Sequence, residues 1–263
     1  MHSAMQARTQ PPCATCFQRQ WCLPSALSPP FEAEFASVWV RDVHVGRGDR
    51  LYAHEQKEHR VFMVRSGAFK AEASIRPGIV QVLGLHEAGD FMAIEPLLGL
   101  RPRTDLTALQ DSIACSFAVG KLEALAKAHP ALQRLVDRVR FNALGKAYSE
   151  IFALGSLNAT ERVAWFIIRQ SEQRRLHGQH AGMFVLSMTR QDIGNYLSLR
   201  LETVSRTLTY MAHRDLIRCE RRTLRILGMT ALTVLANMPD AVIDNVPKTR
   251  PGMTLSALRG ESP

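Results

Sequence analysis

Three cysteines fall within ten residues, Cys13-Ala-Thr-Cys16-Phe-Gln-Arg-Gln-Trp-Cys22, with Pro24 close behind. Gaps of two and then five residues put three thiols on one short loop, where they can share a soft metal or an iron-sulfur centre. Cys115, in an apolar run near the end of a strand-rich segment, offers a fourth donor. Four thiolates suit tetrahedral Zn2+ and a [4Fe-4S] cluster alike, so the spacing leaves both open beside a third reading, free thiols on a loose lead. The chain holds five cysteines. With no export signal in view they read as ligands or free thiols rather than disulfides, because the cytosol keeps thiols reduced.

A second constellation lies far along the chain, in Thr189-Arg-Gln-Asp192-Ile-Gly-Asn-Tyr-Leu197-Ser-Leu-Arg-Leu-Glu202-Thr-Val-Ser205-Arg206. Thr189 is placed to cap a helix with Asp192 in its first turn, and Ile193 and Leu197 form its buried side. Gly194 lacks a side chain where a second helix would cross closely. After a break over 198–201, Val204, Leu208 and Met211 make the buried side of that second helix and turn Glu202, Ser205 and Arg206 outward. Such a pair is a helix-turn-helix, and two short strands around Leu216-Ile217 and Leu224–Leu227, joined by Arg221-Arg222, add a wing. The outward chemistry suits duplex DNA. Glu accepts from cytosine N4, Arg forks onto guanine O6 and N7, and Ser reaches a base or a phosphate. Thr189, Arg190 and Arg200 complete the DNA-binding candidates. Between Ser187 and Arg225 eight Arg stand against four acids. The bland alternative is a helical hairpin with a solvated charged face.

The elements that position these residues follow from hydropathy. Phe31 to Val119 is a series of short apolar runs cut by turn signals such as Gly46-Arg-Gly-Asp49, Ser66-Gly67 and Ala88-Gly-Asp90, which predicts an antiparallel sandwich or barrel. From about Lys121 the period changes to 3.6. Leu132, Leu135, Val136, Val139 and Ala143, continued by Ala147, Tyr148, Ile151 and Leu154, predict one helix from Pro130 to Gly155. A helix that long with a narrow apolar stripe predicts a homodimer seam, the alternative being a helix packed wholly on its own domain. Asn158-Ala-Thr-Glu161 starts a further helix with a capping box.

The balance of 33 basic against 24 acidic residues gives +9, and 27 of the basic residues are Arg, which points to an anionic partner. The 46% hydrophobic and 22% charged composition excludes a fibre or a wholly disordered chain. No run approaches the ~20 apolar residues of a membrane span, and the lead to Pro12 has no apolar core of a signal peptide. The expectation is a cytoplasmic protein without a membrane partner.

The segment around Glu202-x-x-Ser205-Arg206 resembles the winged-helix domain of the CRP/FNR superfamily of bacterial transcription regulators, and within it the FNR branch. That branch reads TTGAT-type half-sites in an inverted repeat; Leu201 stands where CRP-type readers carry Arg. Ser198 departs from the family's usual Gly. FNR regulators also hold an oxygen-labile [4Fe-4S] cluster on a Cys-x2-Cys-x5-Cys lead and one distant cysteine, and the interval from Cys22 to Cys115 matches. The resemblance, covering about residues 13 to 236, therefore implies Cys13, Cys16, Cys22 and Cys115 as cluster ligands, and leaves Cys219 as a half-buried wing thiol without a role. Phe17 and Trp21 flank ligands where relatives carry smaller or aliphatic residues, which suggests rings shielding the cluster. Ala147 replaces an acidic residue on the dimer helix of members that separate in air, so the cluster-free protein is expected to stay dimeric. Cyclic-AMP-binding members need a Gly-Glu pair where Ala93-Ile94 stands here; Arg103-Thr104 matches only the second half of that site.

The expected architecture is α+β. It comprises a cysteine-bearing cluster-binding segment (1–30), a double-stranded β-helix, jelly-roll-like sensor domain (31–126), a dimerisation helix (127–157), a winged helix-turn-helix (158–239) and a disordered tail (240–263). The expected function is an oxygen-responsive regulator, not an enzyme, that holds [4Fe-4S], binds double-stranded DNA as a homodimer and engages RNA polymerase. The alternative keeps the DNA reader and replaces the cluster with a structural zinc or a cyclic nucleotide effector. An iron-sulfur electron carrier or oxidoreductase would leave the winged helix unused, and no dinucleotide fingerprint or nucleophile-base pairing supports it.

Overall fold

The computed structural model describes residues 13, 16–26, 34–52, 59–76 and 79–237. The loose lead expected over 1–12 and the tail expected over 240–263 lie outside them. The strand-rich segment forms β1 (Trp39–Val45), β2 (Arg50–Tyr52), β3 (Arg60–Ser66), β4 (Ala68–Arg76), β5 (Ile79–Glu87), β6 (Phe91–Met92), β7 (Asp105–Ala108) and β8 (Ser112–Ala118). They make two four-stranded sheets, ordered β1-β8-β3-β6 and β2-β7-β4-β5. Short strands cut by turns thus form the antiparallel β-rich segment that the hydropathy predicts. Val61, Phe62, Met63 and Val64 are all buried on β3, which explains a continuous apolar run where one wet face would have given alternation. The β3–β4 turn depends on Gly67: its φ is +93°, and a Cβ there would lie 2.7 Å from the Ser112 backbone.

Helices follow in chain order as α1 (Val119–Ala128), α2 (Pro130–Ser156) and α3 (Ala159–Leu176). The long helix runs one residue past its expected end, and Pro130 opens it, where a missing N–H costs nothing. Its apolar residues divide into two sets. Leu132, Leu135, Val136 and Val139 join one core with Phe35, Val38, Val61, Met63, Phe117 and Leu122. Farther along, Phe141, Leu144, Tyr148 and Ile151 are 70, 52, 63 and 68% exposed on the same helix. The first part of the expected seam is therefore used inside its own domain, and the exposed stripe includes Phe141 and Leu144, which the sequence reading leaves out. At the start of α3 the Asn158 Oδ1 accepts from the Thr160 and Glu161 N–H groups, while Glu161 accepts from the Asn158 N–H at 2.8 Å, so the expected capping box is present.

After β9 (Met183–Val185) come α4 (Arg190–Leu197), α5 (Leu201–His213), β10 (Ile217–Glu220), β11 (Thr223–Ile226) and α6 (Met229–Ala236). The wing is a three-stranded sheet ordered β10-β11-β9, one strand larger than expected, and α6 is likewise an addition. The chain forms two compact units. Of the described residues, one takes those through Phe69 and His86–Phe141; the other takes those of Lys70–Leu85 and those from Asn142 to Asn237. Among the described residues no helix is long and apolar enough to cross a membrane.

Candidate functional site

In the first unit the cysteine lead folds as successive tight turns. Cys16 N–H donates to the Cys13 carbonyl at 3.3 Å, Arg19 N–H to Cys16 at 3.0 Å and Cys22 N–H to Arg19 at 3.1 Å. This winding gathers side chains that lie far apart in an extended chain. Cys13, Cys16, Cys22 and Cys115 line one small pocket with Gln18, Arg19, Met63, Arg65 and Phe117. The four expected ligands are thus brought to one place. Among the described residues, no three Cys, His, Asp or Glu side chains converge closely enough to hold a single metal ion.

Cys115 comes from β8, where it stands opposite Asp42 of β1 and Met63 of β3. Its Sγ donates to Asp42 Oδ1 at 3.5 Å, and Arg65 holds the other carboxylate oxygen at 2.7 Å. Burial pushes the Cys115 thiol far up, and the Asp42 carboxylate adds to the shift. Cys22 is raised as well, by burial first and then by Cys115 and Cys13. Burial thus favours the protonated form of Cys22 and Cys115, so a metal or cluster that binds these two displaces protons. Cys22 and Cys115 belong to the same core as Val119, Leu122 and the first half of α2, with Cys13 packed against it.

The donor set fits a buried, anionic, thiolate-held group. Four thiols face a pocket that also carries Arg19 and Arg65, the latter already paired with Asp42. Gln18 is 1% exposed, yet neither its Nε2 nor its Oε1 has a partner. Phe17, by contrast, is 65% exposed and does not line the pocket. The Trp21 side chain lies outside the described residues. Gln18, Arg19, Met63, Arg65 and Phe117 are the pocket residues that sequence reasoning missed; the cross-strand pairing that places Asp42, which bonds Cys115 and Arg65, beside the pocket has no local signal.

In the second unit the expected helix-turn-helix is built from its cap upward. Thr189 Oγ1 accepts from the Asp192 N–H at 3.1 Å, and Asp192 accepts from the Thr189 N–H at 3.0 Å, closing a capping box at the start of α4. Ser198 ends the helix at φ +55°, ψ +43°, the left-handed region that Gly adopts without strain. Gly194 meets the turn itself: a Cβ would lie 2.7 Å from the Leu199 carbonyl oxygen. Val204, Leu208 and Met211 are buried under α5, while Glu202 and Arg206 are exposed and Ser205 is half-buried. Arg190 reaches Ser205 Oγ at 3.4 Å, and Thr189, Arg190 and Arg200 are exposed around the turn. At the wing tip Arg222 donates to the Leu186 and Ser187 carbonyls. Arg221 is exposed at the tip, as are Arg218 and Arg225 along the wing strands. Cys219 is half-buried on β10, where burial raises its thiol against the lowering effect of Arg190.

The helix pair is gripped from two sides within this unit. Asn195 Oδ1 accepts from the Val82 N–H, its Nδ2 donates to the Val80 carbonyl at 2.6 Å, and Gln81 donates to the Asn195 carbonyl. Lys70 Nζ lies 2.9 Å from Asp192 Oδ1 and 2.8 Å from Glu72 Oε1. On the other side Arg162 donates to the carbonyls of Leu154, Leu157 and Leu197, and Tyr196 donates to Glu150 Oε1 at 2.7 Å. The end of α2 and the end of α4 therefore share one arginine.

Residues 161–235 match the Crp-like helix-turn-helix domain family, and residues 42–129 match the cyclic nucleotide-binding domain family. The transcriptional regulatory protein btr of Bordetella pertussis is 28% identical over 224 residues, 85% of this chain and 92% of that protein. The transcriptional activator protein Anr of Pseudomonas protegens is 29% identical over 88% of this chain and 95% of its own length. A fumarate and nitrate reduction regulatory protein of Yersinia pestis is 28% identical, with 86 and 91% coverage. Among solved structures, FixK2 from Bradyrhizobium japonicum superposes with a TM-score of 0.69 at 26% identity, over 77% of this chain and 99% of that one.

Proposed function

Because the chain belongs to the CRP/FNR family and is a DNA-binding transcription regulator of that family, we propose that it is a cytoplasmic oxygen sensor whose ligands are Cys13, Cys16, Cys22 and Cys115. The observation that carries this reading is the pocket those four thiols share with Arg19, Arg65 and the unpartnered Gln18. A [4Fe-4S] cluster bound there supplies an oxygen-labile centre that is lost in air. The chain's own part is mechanical. Cys22 and Cys115 sit in one core with the first half of α2, so tying the lead to β8 tightens the packing under that helix.

The exposed stripe of Phe141, Leu144, Tyr148 and Ile151 is the face for a second copy. A dimer brings two recognition helices to half-sites about 34 Å apart on one face of the duplex. Glu202, Ser205 and Arg206 read base edges of a TTGAT-type inverted repeat, and Thr189, Arg190, Arg200 and Arg221 hold phosphates. Oxygen shifts the population away from the DNA-binding dimer, and the bound dimer recruits RNA polymerase.

The match of residues 42–129 favours a second reading, a cyclic nucleotide as effector. Two features of the chain weigh against it. Ala93-Ile94 supplies no carboxylate for a ribose, and Thr104 already donates to Glu95 at 2.9 Å within its own domain. The test is anaerobic purification with iron and sulfide analysis, then air exposure during titration of a fluorescent TTGAT-x4-ATCAA duplex. The expected protein is brown, carries about four iron atoms per chain and loses colour and DNA affinity together. A colourless protein with equal affinity in both atmospheres leaves the DNA reader and returns the cysteines to zinc; affinity that rises only with cyclic AMP supports the second reading.

A further inference from the structure

Among the described residues Gln18 is a buried amide with no partner at either end. It lines the pocket of the four thiols. A buried amide left unsatisfied is costly, so one kept here calls for an occupant able to hydrogen-bond with it. Its neighbours narrow the chemistry. The pocket offers Gln18 thiols, two guanidiniums and apolar carbon from Met63 and Phe117. Arg65 already donates to Asp42 and Arg19 to the Cys13 carbonyl, whereas the Gln18 amide N–H has no acceptor among the described residues, and what would satisfy it is an electron-rich acceptor.

We infer that the Gln18 Nε2–H donates to a sulfur of the group held by Cys13, Cys16, Cys22 and Cys115, and thereby sets how readily that group gives up an electron. This rests on the cluster reading above. A donor to sulfur withdraws electron density and favours the more reduced state, raising the midpoint potential and slowing electron loss to molecular oxygen, the oxidant. Gln18 acts as a positioning and tuning residue and touches no DNA. Its place between Cys16 and Cys22, inside the turns that wind the lead, gives it no route to water.

The test compares anaerobically reconstituted full-length wild type with Gln18→Leu, which keeps the bulk and removes the donor. Three quantities are read: iron and sulfide per chain, the reductive midpoint potential, and the rate of visible bleaching after addition of oxygen-saturated buffer. The expected leucine variant loads as much iron as wild type, has a lower potential and bleaches about three- to tenfold faster, the scale of one hydrogen bond. Equal loading with unchanged potential and bleaching rate overturns the inference. If leucine prevents loading, Gln18→Asn and Gln18→Met separate donor from volume. Loading by asparagine alone supports the donor, and loading by methionine at the wild-type potential overturns it. A wild type that takes up no iron overturns the cluster reading and the role of Gln18 with it, and is told apart because the failure precedes any substitution.

Discussion

Ser198 holds a left-handed backbone that costs a side chain about 1 kcal/mol, and Gly194 stands 2.7 Å in prospect from a backbone oxygen that cannot swing aside. The two neighbours therefore respond in opposite ways. Ser198→Gly is expected to stabilise the DNA-reading unit by about 1 kcal/mol in urea unfolding. Gly194→Ala is expected to destabilise it by about 2 kcal/mol or more, since the turn must open. Arg206→Ala should cost about 1–3 kcal/mol on its own operator and relax discrimination at one base pair, whereas Arg221→Ala should weaken all duplexes alike and flatten the salt slope. Competition binding at two salt concentrations separates the two behaviours. These residues were legible in the sequence because their signals are local: a cap, a glycine, an outward triad at helical spacing. Asp42, Arg65 and Gln18 were not, because they reach the thiols through strand pairing and tight winding, and neither leaves a spacing rule behind.

The long helix shows the limit of periodicity at the scale of an element. A 3.6-residue repeat says that a face is covered and is silent about what covers it. Leu132, Leu135, Val136 and Val139 are covered by their own domain, while Phe141, Leu144, Tyr148 and Ile151 are left open. Ile151→Glu is accordingly expected to shift the cluster-loaded protein from dimer to monomer in sedimentation at micromolar concentration. Leu135→Glu should instead unfold the domain. Ala147 is exposed on the same helix and adds no charge there, so the cluster-free protein is expected to remain dimeric, and Ala147→Asp to weaken it. The strand β9 and the helix α6 escaped the sequence reading for a different reason. Three residues are too few to show alternation, and α6 follows so closely on β11 that its apolar residues merge with the strand's.

For the whole molecule, charge and coupling decide behaviour. Lys70 and Asp192 share an ion pair that is mostly shielded from water. Burial opposes the charge on both, but hydrogen bonds outweigh it. Bonds to Glu72 and Asp192 raise Lys70, while those from Thr189 and Lys70 lower Asp192. A lowered carboxylate contributes stability above its ordinary value and loses it as pH falls through the folded one; a raised lysine contributes below its ordinary value and loses it as pH climbs through the folded one. The contribution of this ion pair should therefore be flat from about pH 5 to pH 10 and fall outside that window. Lys70→Met should remove part of the acid-side slope, as followed by circular dichroism.

The hairpin that holds Asn195 and Asp192 lies more than a hundred residues before them in the chain. Inheritance of the reader as a portable cassette is thereby restricted. A graft cut at the start of α3 would carry the helices and the wing but leave behind Lys70 and the edge that receives Asn195, so exchange of DNA specificity between relatives must travel through the outward residues of α5 or take the hairpin along.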